Sequence, residues 1–174
     1  MSVETASIRK TERGDLDEVM AIYAYAREFM ASTGNPDQWG RNCWPPKELI
    51  QKDIDEGKSY VLKDEERILA VFFYDFGKRI DPCYDIIEGG EWIEDSPYGV
   101  VHRIAAAPQA KGAGQKCILW AYEQCAHLRM DTHPDNKVMR HVLRKLGFSQ
   151  RGIIYVKQDP DPRYAFEKTG ETVF

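Results

Sequence analysis

Short strand signals interleaved with helical periodicities predict a mixed-sheet α/β fold, organised as an α+β-like sandwich. Three observations carry this prediction. Runs rich in β-branched and aromatic residues recur along the chain, separated by turn residues. Four segments place apolar residues at helical spacing. The two signals alternate without strict βαβ regularity, giving the order β-α-α-β-β-loop-β-α-β-α-β-β, which argues against a purely parallel sheet. The length of 174 residues suits about one domain. It is enough to bury roughly 70% of the unfolded surface without a metal or disulfide staple.

Taken in order, residues 7–9 read as a short opening strand. A helix follows from Asp15, a good N-cap with Asp17 and Glu18 complementing the dipole. Leu16, Val19, Met20, Tyr23 and Met30 keep helical spacing to about Ser32. Residues 34–44 form a loop rich in Gly, Asn, Pro and Trp. Pro46 suits the first turn of a second helix, with Leu49, Ile50 and Ile54 apolar and Gly57 at its end. Residues 59–63 and 68–74 predict two strands joined by the charged turn 64–67. Residues 76–97 show little periodicity, and loops this long often sit at functional sites. A strand over 98–107 stops at Pro108. A helix over 112–127 places Cys117, Ile118, Ala121, Tyr122 and Cys125 on one face. After a strand over 128–132, a helix opens near Asn136 and closes at Gly147. Strands over 152–156 and 164–168 flank the turn 158–162.

Composition excludes several classes. Hydrophobic residues are 43% and charged residues 30%, far from the disordered regime. The balance of 24 basic against 28 acidic residues gives −4, which argues against a nucleic-acid binder. No apolar run approaches the ~18 residues of a membrane span. The N-terminus lacks a basic n-region and an apolar h-region, so a cytoplasmic location is expected, with no membrane partner. Cys43, Cys83, Cys117 and Cys125 are scattered, and no C-x-x-C metal spacing occurs.

The chemically informative run extends from Val100 to Lys116, where a strand feeds a glycine turn and the turn feeds a helix. Gly112 and Gly114 let successive backbone N–H groups curl around an anion. The helix N-terminus adds unpaired amides and roughly half a positive charge. Lys111 and Lys116 add cations nearby. These features make a pyrophosphate cradle, unless the turn is merely a tight connection. Neither G-x-x-x-x-G-K-[ST] nor G-x-G-x-x-G is present.

Gln109-Ala110-Lys111-Gly112-Ala113-Gly114 resembles the Q/R-x-x-G-x-G/A acetyl-CoA signature of the GNAT acetyltransferase superfamily. Asn136, Met139 and the helix end Lys145-Leu146-Gly147-Phe148 resemble that family's second motif, and the element order resembles its fold. The resemblance implies a single N-acetyltransferase domain over residues 6–174. Its sheet would be mixed and mostly antiparallel, with six to seven strands, about four helices, and a splay between the two central strands. Acetyl-CoA would be the cosubstrate and a primary amine the acceptor. Pantetheine would lie in the V, bonded to the backbone of Ile104 and Ala106 beside the small Ala105. The pyrophosphate would sit on Gln109, Ala110, Lys111, Gly112, Ala113, Gly114 and Gln115, with Asn136 contacting the pantetheine arm. Such proteins often form homodimers. Many members carry a tyrosine four residues before the glycine of the "GF" pair, as the acid for the leaving thiolate. Here that position is Leu143, which keeps open a non-catalytic acyl-CoA-binding module.

Acetylating an alkyl amine of pKa ~10 requires removal of a proton. His102, on the strand before the cradle, has the right reference pKa, although a packed strand histidine would look the same. His133 is a second candidate. His127 reads as a complement to a helix C-terminus, and His141 as a solvated helix residue. Tyr155 is the candidate to replace the missing tyrosine as acid, or else a core tyrosine. Cys117 and Cys125 read as core, which favours direct attack over a cysteine intermediate. Six acids, Asp81, Asp85, Glu88, Glu91, Glu94 and Asp95, lie between Ile80 and His102 with no Lys or Arg among them. They either steer a cationic acceptor or form a solvated surface.

Overall fold

The computed structural model describes residues 2–170. Strand β1 (Ser7–Lys10) leads through a 3₁₀ turn (Arg13–Asp15) into helix α1 (Leu16–Ser32), followed by α2 (Lys47–Asp55). Next come β2 (Ser59–Lys63), β3 (Ile68–Gly77), a 3₁₀ turn (Pro82–Tyr84) and β4 (Tyr98–Ala106). The chain continues with α3 (Ala113–Cys125), β5 (His127–Thr132), α4 (Lys137–Lys145), β6 (Ser149–Tyr155) and β7 (Pro162–Thr169). The strands form one seven-stranded sheet in the order β1-β2-β3-β4-β5-β7-β6. Every neighbouring pair is antiparallel except β4 and β5. This is the mixed sheet that the element order predicts, and the mostly antiparallel arrangement that the resemblance implies.

Local differences have physical reasons. Asp15 does not cap α1 with its side chain. Its carboxylate turns back to accept the Glu12 N–H at 2.8 Å and two Arg9 guanidinium bonds at 2.7 and 3.1 Å. Helix α3 stops at Cys125 because Ala126 adopts the left-handed conformation at φ 53°, a stop that alanine does not announce. His127 therefore opens β5 instead of closing a helix. Strand β3 continues to Gly77 because Asp75–Gly77 pair with residues 98–100 of β4, and the ladder outweighs a weak local pattern.

Strand alternation sorts the packing. On one face Tyr60, Phe72 and Tyr74 gather around Trp120 of α3, with ring centroids 5.1 to 5.8 Å from it. On the other face Phe73 stacks on His102 at 5.8 Å and lies under the Arg103 guanidinium at 4.6 Å. The apolar stripe of α1, Val19, Ile22, Tyr23 and Ala26, is buried in the main core. Among the described residues, no helix is long and apolar enough to cross a membrane.

The segment 78–97 is held down at several points. Glu88 and Ile153 exchange two backbone hydrogen bonds of 2.9 Å. Arg129 donates to the Glu94 carbonyl and lies over the rings of Trp92 (4.3 Å) and Tyr98 (4.1 Å). Arg129 also donates at 3.1 Å to Glu167, which is fully buried, meets His127 Nε2 at 2.6 Å and accepts the Ile93 N–H. Burial opposes ionisation of Glu167, but the bonds from His127, Ile93 and Arg129 outweigh it and lower its pKa.

Close approach of β4 and β5 is confined to Gly99 and Val100, and Gly99 makes it possible. A Cβ there would lie 2.7 Å from Cys125 Sγ, 3.0 Å from Tyr74 Cε2 and 3.2 Å from Leu128 Cδ1. Gly99→Ala should cost about 1–3 kcal/mol through overpacking, read as a lower denaturant midpoint at unchanged slope. An equally stable variant would mean that the two strands do not meet this tightly.

Candidate active site

Beyond Gly99↔Leu128 and Val100↔Arg129, β4 and β5 no longer pair, and a gap opens between them. A bulge at Arg103 accompanies the parting. That residue has φ 50°, and the β3–β4 register slips by one between Phe73↔His102 and Val71↔Ala105. Holding a non-glycine residue there costs on the order of 1–3 kcal/mol. Tyr23 Oη donates to the Arg103 carbonyl at 2.7 Å, and the Arg103 side chain pairs with buried Asp53 at 2.8 and 2.9 Å. Past the bulge, the Ala107 N–H is spent on Leu69 of β3 at 2.9 Å. By alternation Ala105 faces the same neighbour, which leaves the Ile104 and Ala106 backbone groups turned toward the gap. The groove here is apolar, lined by Tyr25, Phe29 and Met30 of α1, residues 104–107, and Val138 and Met139 of α4.

At the end of the groove, residues 107–115 wrap into the start of α3. Gln109 (φ 60°) and Gly112 (φ 85°) are both left-handed. A Cβ on Gly112 would project into open space, with no atom within 4 Å. Ala110, Ala113 and Lys116 donate back to Ala107, Ala110 and Gly112. Among the described residues, the amides of Lys111, Gly112, Gly114 and Gln115 have no such acceptor. The turn is therefore a set of converging donors at a helix N-terminus, open to an anion. Lys116 does not join it. Its ammonium is used on three N-terminal carbonyls, Val3 (2.8 Å), Glu4 (3.0 Å) and Ala6 (2.7 Å). Asn136 borders the groove and is buried, but its side chain is committed. Oδ1 caps α4 through the Met139 N–H, and Nδ2 donates to Gln38 Oε1, both at 3.0 Å.

A second concavity of about 320 Å³ continues from the groove over the middle of β4 and the C-terminal half of β5. His102 borders it, with Nε2 2.8 Å from Asp81 Oδ2 and Nδ1 3.6 Å from Asp131 Oδ1. Tyr84 Oη donates to Asp131 Oδ1 at 2.7 Å. Burial would raise the Asp81 carboxyl, but contact with His102, its charge and the Cys83 N–H hold it at about 2. Burial, reinforced by Asp81, pushes the Cys83 thiol up to about 11, so it stands protonated in this cleft.

Other expected residues lie elsewhere. Tyr155 is 49% exposed and does not border the cleft; the loop after β6 presents residues 156–158 to it instead. His133 Nε2 meets Asp161 Oδ2 at 3.0 Å and Nδ1 accepts the Asp135 N–H, which ties two turns together. His127 sits in the Glu167 cluster, and His141 is exposed. Cys117 is buried, its thiol pushed up to about 12 by desolvation. Leu143 is fully buried in the core. Of the six acids in 81–95, only Asp81 reaches the cleft. Asp85 pairs with Arg79 at 2.6 Å, and Glu94 and Asp95 border a separate hollow beside Arg129. Asp131, Thr132 and Tyr84 were not singled out as site residues. An acid and a threonine inside a strand pattern read as ordinary alternation, and only the β4–β5 gap reveals that they face it.

No protein-family model and no curated protein matches the sequence. Solved structures do. A GNAT-family acetyltransferase from Streptococcus agalactiae 2603 is 29% identical, with 96% of each chain covered and a TM-score of 0.86. A GNAT-family acetyltransferase from Bacillus cereus ATCC 10987 is 19% identical, covering 95% of this chain and 99% of that one, TM-score 0.59. The ribosomal-protein-S18-alanine N-acetyltransferase of Escherichia coli is 14% identical, covering 97% and 99%, TM-score 0.61. The last two are likenesses of fold alone.

The Asp81–His102 contact has a pH signature. A carboxyl at about 2 when folded and 3.8 when unfolded contributes stability above pH 4 that is lost as pH falls toward 2. Between pH 6 and pH 3 the parent should lose about 1 kcal/mol more than Asp81→Asn in urea titrations. Parallel losses in the two proteins would show that the pair is not formed.

Proposed function

The chain has the GNAT acetyltransferase fold and is an acyltransferase, and we propose that it moves an acetyl group from acetyl-CoA to a primary amine by direct attack in a ternary complex. The observation that carries this reading is the continuity of three features: a gap with free strand edges, an amide-lined turn at one end, and a histidine-bearing cleft at the other. A pantetheine arm needs hydrogen-bonding partners along an apolar channel, and Ile104 and Ala106 offer backbone groups for it. A pyrophosphate needs convergent donors and a favourable dipole, and residues 111–115 with the α3 N-terminus offer both. Gly112 leaves room for close approach, and Lys111, with no ion-pair partner among the described residues, is a cation beside it. Asn136 takes part through its place in the wall, since its side-chain atoms already cap α4 and hold Gln38.

Acetyl-CoA supplies an activated thioester. The acceptor arrives as an ammonium, and His102 removes one proton from it, leaving the imidazolium against Asp81. The freed nitrogen lone pair attacks the thioester carbonyl, the C–S bond breaks, and the thiolate leaves. The imidazolium returns its proton to the sulfur, and the acetylated nitrogen sheds its second ammonium proton to solvent, so each turnover releases one proton. Cys83 and Cys117 stay protonated and take no covalent part. No tyrosine is needed at position 143, because His102 takes the first ammonium proton and returns it to the leaving sulfur.

The buried Leu143 also fits an acyl-CoA-binding module without turnover. Free thiol released from acetyl-CoA across a panel of amines separates the two readings. Turnover with at least one amine is expected, and binding with no release from any amine would favour the module. Gly112→Glu should raise the acetyl-CoA Kd at least 100-fold by setting a carboxylate where the phosphates approach, with the Tm lowered only modestly. Unchanged affinity in that folded variant would mean the cradle lies elsewhere. His102→Gln should lower kcat roughly 100-fold with acetyl-CoA affinity intact, in the range of general-base losses. An undiminished kcat would remove His102 from the mechanism.

A further inference from the structure

One buried polar group beside the cleft has no part in the proton transfers of His102. Thr132 ends β5 and is 1% exposed, and its Oγ1 has no hydrogen-bond partner among the described residues. It follows Asp131 on the strand, so the two side chains face opposite sides of the sheet. Thr132 therefore stands apart from the contacts among His102, Asp131 and Tyr84. Its backbone pairs with Tyr164 of β7, while β4 has already parted from β5 after Val100↔Arg129. Thr132 thus lies beside the open gap, and it borders the cleft.

Met30, Ile104, Asn136 and Met139 border both the groove and the cleft, and so mark the junction between them. A chain threading from the amide-lined turn to His102 has to pass these residues. Within the gap no strand separates the two faces of the sheet. A reacting group lodged there can be reached from the His102 face and from the Thr132 face. Among the described residues, Thr132 carries the one hydroxyl that borders the cleft. Leu143, where a tyrosine acid would stand, is buried and offers no donor.

A neutral hydroxyl gains little from a thioester sulfur, which is a weak acceptor. Once the C–S bond breaks, that sulfur carries a full negative charge, and a charge-assisted hydrogen bond is roughly twice as strong as a neutral one. A donor so placed favours bond cleavage over the ground state, and only such a difference speeds the chemical step. A hydroxyl already bonded inside the protein would have to give up that bond first. Thr132 has no such bond to give up.

We propose that Thr132 Oγ–H donates a hydrogen bond to the leaving sulfur of acetyl-CoA, as a catalytic residue of acetyl transfer. As the amine nitrogen bonds to the carbonyl carbon, the C–S bond breaks with its electron pair left on sulfur. Thr132 keeps its own proton and steadies the thiolate. The proton that neutralises the thiolate comes from the His102 imidazolium. The inference rests on the acetyl-transfer reading for its role, but the unpartnered hydroxyl is tested without it.

The test uses the full chain, CoA, and acetyl-CoA with the best amine of the panel. Thr132→Val is isosteric and removes the hydroxyl. Without CoA its Tm should rise by about 2–4 °C, because a methyl replaces a buried polar group that has no partner. Its kcat should fall about 10-fold, with the acetyl-CoA Kd within twofold. Thr132→Ser keeps the hydroxyl and should lose no more than about threefold. The spectroscopic readout is the thiol of bound CoA, titrated through the ultraviolet absorbance of its thiolate with desulfo-CoA as the blank. A tenfold loss of thiolate stabilisation in Thr132→Val moves the titration midpoint up by about one pH unit. A lower Tm in Thr132→Val would show the hydroxyl to be partnered inside the protein and would overturn the proposal. So would an unmoved thiol midpoint, or a loss confined to the amine KM, which would assign the hydroxyl to the acceptor. These outcomes leave wild-type turnover in place and overturn the proposal alone. CoA that fails to bind the wild-type protein overturns the acetyl-transfer reading and the proposal with it, before any variant is made.

Discussion

The parting of β4 from β5 after Val100 is the constraint on which the rest depends. Two parallel strands pair over two residues and then diverge, leaving strand edges unpaired inside the protein. Such edges are a liability unless something covers them. The divergence is held from both sides. Gly99 allows the strands to close at the base, while the Arg103 bulge turns β4 away above it. The bulge is held by the Tyr23 hydroxyl from α1 and by the buried Arg103–Asp53 pair from α2. Breaking such a pair strands a buried charge, at a cost of about 3–5 kcal/mol. The two N-terminal helices therefore do more than cover the sheet; they hold open the gap in which the chemistry is placed.

A second set of interactions fixes the other wall. Glu167 gathers His127, Arg129 and the Ile93 amide, and Arg129 in turn clamps Trp92, Tyr98 and the Glu94 carbonyl. The long segment 78–97 is thereby seated against the sheet, which delivers Asp81 and Tyr84 to His102. Its acidity is mostly incidental to the cleft. Asp85 is neutralised by Arg79, Glu94 and Asp95 face a different hollow, and Asp81 alone enters the site. The carboxylates beside His102 come instead from one acid of this segment, Asp81, and one of β5, Asp131.

The features legible in the sequence are the local ones. The glycine turn, the cap at Asn136 and the strand before Pro108 are each specified by neighbours within a few residues, so pattern reading finds them. His102 was legible as a titratable group on the strand that leads into that motif. Features that depend on distant partners were not. Lys116 looks like a phosphate ligand until the N-terminal carbonyls are seen to take all three of its protons. His127 looks like a helix end because Ala126 gives no sign of its left-handed turn. Tyr155 has the right chemistry and is close to the cleft in sequence, yet strand geometry leaves it half-exposed outside the cleft. Asp131 is indistinguishable from any alternating strand acid until the neighbouring strand leaves.

The central claim is that the exposed edge of β4 accepts the cosubstrate as an additional strand. Amide hydrogen exchange, followed residue by residue with and without CoA, tests it most directly. Ile104 and Ala106, together with the amides of Lys111, Gly112, Gly114 and Gln115, should gain protection on adding CoA. Ala107, already bonded to Leu69, should change little. Protection confined to the 111–115 turn, with Ile104 and Ala106 exchanging as before, would contradict the account.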